Sequence, residues 1–241
     1  MLTEIAGIPV RIIKKDIKNM HLYVKPPDGH VEVSAPLSLS EESIQMFIRT
    51  KISWIKKQRE KFDTQSRQTE RQYVSGETLY LWGKQYFLHV DYSNKGNSLL
   101  LNGAEAYLTV RKESTAKQRE NWVNEWYRGL LKEQIERLLP KWEDITGLHP
   151  SNWQTKYMTT RWGTCNTNTG KIWLNLQLAK KPIDCLEYVI LHELAHLKVR
   201  NHGEAFIAIM DEYMPYWRET RKKLNDSTLD YLPEGDSYAD D

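Results

Sequence analysis

Residues 189–206 read VILHELAHLKVRNHGEAF and carry three of the chain's seven histidines, His192, His196 and His202. Around the first two the segment is otherwise strongly apolar, an odd setting for imidazoles unless they hold something. On an α-helix, residues four apart lie about 40° apart around the axis and about 6 Å apart along it. His192 and His196 therefore point the same way from successive turns, and their ring nitrogens can converge on one ion. Glu193 follows the first histidine and projects beside that point without having to ligate. The H-E-x-x-H pattern supplies two zinc ligands and a carboxylate able to take a proton from metal-bound water.

A third ligand is still needed. His202 lies six residues beyond His196, where a continued helix would rotate it off the shared face. The Asn201-His202-Gly203 sequence predicts instead that the helix stops and the chain turns back, bringing His202 to the metal from another side. Glu204 and Glu212 are the alternatives for that position. Three nitrogen ligands leave a fourth tetrahedral position open for water, which a catalytic zinc site requires and a closed structural site lacks. One Zn2+ is the expected cofactor, although imidazole sites select only weakly among divalent ions.

Other residues can serve the same chemistry. Arg161 and Trp162 precede a turn and are candidates for lining a substrate cleft. The opposing reading makes Trp162 core and Arg161 an ordinary ion-pair partner. An acyl-transfer reaction needs an electrophile at the developing oxyanion besides the metal, and Tyr213, Tyr157 and Arg161 are candidates. Cys165 reads as a small buried residue ahead of a redox thiol.

The segments RWGTC (161–165), WLN (173–175), YVILHELAHL (188–197) and NHGEAF (201–206) together resemble the YgjP-like metal-dependent hydrolases, relatives of the SprT-like zinc peptidases. The family's usual first motif is Arg-Trp-Gly-Ser-Cys, so Thr164 departs from it. The resemblance extends to the N-terminal hairpin and to GETLYLWGKQY (76–86). It implies an α+β, zincin-like metallopeptidase domain, with the helix of His192, Glu193 and His196 packed under a small antiparallel or mixed sheet. It also implies His202 as third ligand and Glu193 as general base. The histidine spacing equals that of metzincins, but those carry a glycine where this chain has Val199, so that assignment is not made.

The elements that must hold these residues follow from local pattern. HLYVKPPDGHVEV places Pro-Pro-Asp-Gly between two alternating runs, a hairpin signal. One amphipathic helix is expected over about 40–62, with Ser40 as N-cap, Ile44, Phe47, Ile48, Ile52 and Ile55 as apolar stripe, and Arg49, Lys51, Lys56, Lys57, Arg59 and Lys61 opposite. Residues 63–72 are polar and unpatterned, a linker candidate. YVSGETLYLWGKQYFLHV and SLLLNGAEAYLTV read as two further hairpins, the second turning on Asn102-Gly103. A helix begins near Ser114 with Trp122, Val123, Trp126, Leu130, Leu131, Ile135 and Leu138 on one stripe; Pro140 kinks or restarts it and Gly147 ends it. A strand with Ile172, Leu174, Leu176 and Leu178 alternating feeds the histidine helix, which Asp184 and Glu187 start as a capping box and Asn201 and Gly203 end. Pro215 opens a last short helix to about Leu224, ahead of an acidic tail from Glu234. No internal repeat is visible. These elements divide the chain into an N-terminal β-rich region, 1–112, and a zincin-like catalytic domain, 113–241.

Composition excludes little else. The 241 residues are 40% hydrophobic and 27% charged with net charge +2, ordinary for a globular protein and too weakly basic to demand nucleic acid or an anionic membrane. Two cysteines make no disulfide framework, and no secretory leader or membrane helix is apparent; a cytoplasmic location is expected. The combined reading is a zinc-dependent metallopeptidase acting on peptide or protein substrates. A nucleotide pyrophosphatase using the same site is the alternative, with Arg161 and nearby lysines on phosphate. A third reading is a DNA-associated adaptor with structural zinc, using the basic side of the 40–62 helix on nucleic acid.

Overall fold

The computed structural model describes residues 2–25, 29–64, 71–158 and 161–226. The chain is α+β, with mixed sheets and six α-helices among these residues. They fall into two compact units, 2–64 and 71–226. The expected division after residue 112 does not coincide with this one. Leu79, Leu88 and Leu108 share one core with Val123, Leu131 and Ile135 of the helix that follows, so the second set of hairpins belongs with the histidine segment. The acidic tail lies outside the described residues, as does most of the 63–72 linker candidate.

In the first unit, β1 (Leu2–Ile5), β2 (Ile8–Lys15), β3 (His21–Lys25) and β4 (His30–Pro36) form a sheet in the order β1-β2-β4-β3. Alternation places Ile8, Val10 and Ile12 of β2 inside. They meet Ile44 and Ile48 of α1 (Glu41–Thr50) and Ile55 of α2 (Ile52–Thr64), each such fully buried side chain contributing about 1.5–3 kcal/mol. Ser40 caps α1, its side chain accepting from Ser43 N at 3.3 Å. The single helix expected over 40–62 is divided at Lys51. Thr50 Oγ1 donates back to the Phe47 carbonyl at 2.7 Å, and Lys51 N closes a tight turn on Ile48 O at 3.0 Å. Side-chain back-bonding of this kind competes with the regular ladder and bends helices.

The second unit starts with β5 (Thr78–Leu81), β6 (Lys84–Tyr92), β7 (Ser98–Asn102) and β8 (Glu105–Val110), ordered β5-β6-β8-β7. Contrary to the sequence reading, the fold contains an internal repeat: both sheets have the same connectivity and register. Ile5 faces Ile8 across Ala6-Gly7, as Leu81 faces Lys84 across Trp82-Gly83; Arg11 pairs with Glu32 as Phe87 pairs with Glu105. Both two-residue turns have positive φ, 52° and 76° in the first, 49° and 80° in the second, the geometry that follows strand twist in tight hairpins. Each sheet is followed by a helix capped by Ser40 or Thr115. The β7–β8 turn falls at Gly103-Ala104, because Asn102 still pairs with Glu105.

The long helix α3 (Ala116–Thr146) opens on a capping box between Thr115 and Gln118, runs through Pro140 without ending, and closes at Gly147. Leu138, Leu139 and Trp142 on either side of the proline are buried in the common core, which keeps both halves in one helix. A second, three-stranded sheet, ordered β10-β11-β9, comprises β9 (Asn152–Lys156), β10 (Gly163–Asn166) and β11 (Lys171–Asn175). The strand expected through Leu178 stops at Asn175, and residues 176–180 form a 3-10 helix, with Asn175 Oδ1 capping Gln177 N at 3.1 Å. Three helices complete the unit, α4 (Ile183–Ala195), α5 (Glu204–Tyr213) and α6 (Trp217–Asp226).

Candidate metal centre

The helix α4 owes its position to contacts at its start. The backbone N–H groups of Trp82 and Gly83, at the β5–β6 turn, donate to the carbonyls of Ala179 and Lys180 at 2.9 and 3.2 Å. Gly83 lies against Pro182 so closely that a Cβ there would fall 2.6 Å from the proline ring. The capping box expected from Asp184 and Glu187 is absent: α4 begins at Ile183 after Pro182, with no side-chain cap. Asp184 instead receives Lys223 of α6 at 2.8 Å, and Glu187 receives Lys141 of α3 at 3.1 Å. Both carboxylates thus tie α4 to neighbouring helices.

The helix also ends earlier than expected, at Ala195, with His196 as its C-cap and Gly203 as the N-cap of α5. Leu197 N and Lys198 N bond to the carbonyls of Leu194 and Ala195 at 3.0 Å each, a tightened last turn that releases the chain. The segment then doubles back and delivers His202. His192 Nε2 lies 3.2 Å from His196 Nε2 and 3.1 Å from His202 Nε2, and the ligand atoms of all three lie within 4.8 Å of one another. Two nitrogens each about 2.0–2.1 Å from a tetrahedral ion sit about 3.3–3.4 Å apart, so the cluster fits a shared cation. His196 Nδ1 lies 3.1 Å from the Val199 carbonyl; as donor there it leaves Nε2 with its lone pair toward the centre.

Burial holds His192 well below the usual imidazole range, and the neighbouring His196 and His202 push it the same way. His196 is lowered by burial as well, against the pull of its bonds to the backbone of Val199 and Arg200. Neutral rings are the metal-binding form. All three pack around Phe206, with ring centroids 4.7–4.9 Å from it, and Tyr188 meets His192 edge-on at 5.7 Å. Sequence reasoning passed over Phe206, although its place four residues after His202, on the first turn of α5, was a usable signal.

Glu193 is 1% exposed, and neither carboxylate oxygen has a hydrogen-bond partner among the described residues. Burial pushes its pKa up to about 8, with the Arg161 charge opposing. Gly163 of β10 packs against it: a Cβ at this position would lie 2.5 Å from Oε1 and 2.8 Å from Cγ. Of the other candidates, Trp162 is buried, its ring 4.9 Å from Lys181 Nζ, which supports its core reading. Arg161 is exposed, yet close enough for its charge to act on Glu193. Tyr213 ends α5 half-buried and makes no hydrogen bond or ring contact with the cluster; Tyr157 is 42% exposed. Cys165 is partly buried, its thiol pushed up to about 11 by burial and then by the Glu193 charge. Glu204 and Glu212 are exposed and do not join the three histidines.

A profile of the YgjP-like metallopeptidase domain matches residues 18–227, most of the chain. The chain belongs to the YgjP-like family. As a member it is a metal-dependent hydrolase. Among solved structures, the metallopeptidase zymogen abylysin of Pyrococcus abyssi is 22% identical, covers 37% of this chain and 90% of its own, and has a TM-score of 0.35. The metallopeptidase zymogen jannalysin of Methanocaldococcus jannaschii is 25% identical over 37% of this chain and 92% of its own, with a TM-score of 0.34. A search of curated proteins finds no match. No helix among the described residues is long and apolar enough to cross a membrane.

Proposed function

We propose that the chain is a zinc metallopeptidase in which His192, His196 and His202 hold one ion and Glu193 is the general base. The carrying observation is the convergence of three Nε2 atoms, together with the buried Glu193 carboxylate, which has no hydrogen-bond partner among the described residues. A zinc ion held there would supply a Lewis acid to the attacking water and the scissile carbonyl. Glu193 takes a proton from that water and returns it to the leaving amine. Its two oxygens, without hydrogen-bond partners among the described residues, suit both steps, and burial, which raises its pKa to about 8 in the metal-free chain, strengthens the carboxylate as a proton acceptor. The imidazoles of His192 and His196, their pKa lowered by burial, stay available as ligands at the same pH. The helix α4, with β10 and β11 packed on it, would correspond to the zincin arrangement, and Arg161 at its rim would meet an anionic group of an extended peptide.

Among the described residues no fourth His, Cys, Asp or Glu joins the cluster, which favours an open catalytic site over the closed shell of an adaptor. Neither the family nor the site lends support to the nucleotide or nucleic-acid readings. The test is Glu193→Gln, assayed for zinc by elemental analysis and for cleavage of fluorescently labelled casein. Unchanged zinc with turnover reduced about 10²–10⁴-fold is expected. Full turnover in this variant would remove Glu193 from the mechanism.

A further inference from the structure

Among the described residues Glu193 has no hydrogen bond to fix it, so its position depends on the wall behind it, which is the backbone of β10 at Gly163. That strand start is in turn fixed by Asn175 at the end of β11. Asn175 is fully buried and uses every polar atom of its amide. Oδ1 accepts from Met158 N at 3.3 Å and Gln177 N at 3.1 Å, while Nδ2 donates to Met158 O at 2.8 Å and Arg161 O at 2.7 Å. Its backbone N–H donates to Trp162 O at 2.8 Å.

We propose that Asn175 is a positioning residue for Glu193, acting through Arg161, Trp162 and Gly163. The inference rests on the metallopeptidase reading and deepens it. A fully buried amide whose donors end on the carbonyls of Met158 and Arg161 is a clamp with little play, since breaking either bond leaves a buried Asn175 donor unsatisfied. The clamp sets where Gly163 passes, and Gly163 leaves no room for a Cβ beside the carboxylate. The competing account makes Asn175 only the cap of the 3-10 helix at 176–180. Asn175→Asp separates the two, because its carboxylate still accepts from Gln177 N but cannot donate to Met158 O or Arg161 O.

The experiment uses the zinc-loaded full chain and acetohydroxamate, a small chelator whose hydroxamate can bond both to a metal and to an adjacent carboxylate. Its affinity is measured by calorimetry and zinc content by elemental analysis for wild type, Asn175→Asp, Gly163→Ala, Glu193→Gln and the Asn175→Asp/Glu193→Gln double variant. Each single variant is expected to keep its zinc and to bind the chelator at least about tenfold more weakly. The double variant should bind no more weakly than Glu193→Gln alone, because a residue acting through Glu193 has nothing left to act on. Wild-type affinity in Asn175→Asp, or additive losses in the double variant, overturns the proposal. If Asn175→Asp does not fold, Asn175→Ser with and without Glu193→Gln carries the same comparison, because its single hydroxyl can still accept from Gln177 N but cannot donate to both Met158 O and Arg161 O. A wild-type chain that holds no zinc would sink the metallopeptidase reading itself, which is a different result.

Discussion

The internal repeat provides a controlled perturbation of the start of the histidine helix. Gly7 and Gly83 occupy the same place in the two equivalent turns, with φ of 76° and 80°. Alanine in a left-handed conformation costs about 1–2 kcal/mol, and that cost should be common to both sites. The surroundings differ. A Cβ at Gly7 meets nothing within 4 Å, whereas at Gly83 it would fall 2.6 Å from Cγ, 3.0 Å from Cδ and 3.2 Å from N of Pro182. Overpacking against a ring and backbone adds about 1–3 kcal/mol. Gly83→Ala is therefore expected to cost about 2–5 kcal/mol and Gly7→Ala about 1–2 kcal/mol. Urea unfolding followed by fluorescence measures both, with Trp54 the single tryptophan of residues 2–64 and the other eight lying beyond it. Because Pro182 precedes α4, Gly83→Ala should also weaken zinc binding while Gly7→Ala leaves it unchanged. Equal stability losses in the two variants would refute the argument that the β5–β6 turn positions α4.

The Glu193 carboxylate, buried and without a hydrogen-bond partner among the described residues, should cost stability when no metal is bound. Its folded pKa of about 8 exceeds the ordinary glutamate value of 4.5, so the folded state binds this proton more tightly and stability falls as pH rises from about 4.5 through about 8. Metal-free Glu193→Gln should accordingly melt higher than the metal-free wild type at pH 8, by a free energy on the order of a few kcal/mol, with the gap closing towards pH 4.5; a gap independent of pH would contradict this. His202→Ala leaves two ligands, and elemental analysis after dialysis should find zinc strongly depleted, with retention showing that another group completes the site. Cys185 is fully buried and its thiol is pushed up to about 12, first by burial and then by Asp184; at pH 8 the thiolate fraction is about 10⁻⁴. Iodoacetamide should thus leave Cys185 unmodified in the folded chain while labelling it in urea, and rapid labelling of folded protein would show that the burial is wrong.

Features that depend on near neighbours along the chain were legible from the residues. The i, i+4 placement of His192 and His196 is a property of helix geometry, and the Ser40 cap and the Gly147 stop act within one turn. His202 was reachable too, because a histidine flanked by Asn201 and Gly203 marks a reversal, although the end of α4 at Ala195 came a turn and a half sooner than those residues implied. The start of α4 was misplaced for a related reason: Asp184 and Glu187 have the spacing of a capping box, yet Lys223 and Lys141, distant in sequence, offer them better partners.

The repeat of β1–β4 in β5–β8 stayed hidden because register and connectivity are conserved between backbones whose side chains differ: Arg11 stands where Phe87 does, and both pair with a glutamate. Sequence alone thus singled out the candidates, His192, Glu193 and His196 by their spacing along one helix and His202 by the reversal that follows it. Only the tertiary structure decided what holds that carboxylate still. Gly163 and Asn175 act on Glu193 across strands brought together by folding, and close packing between segments distant in sequence leaves no periodic trace in either one.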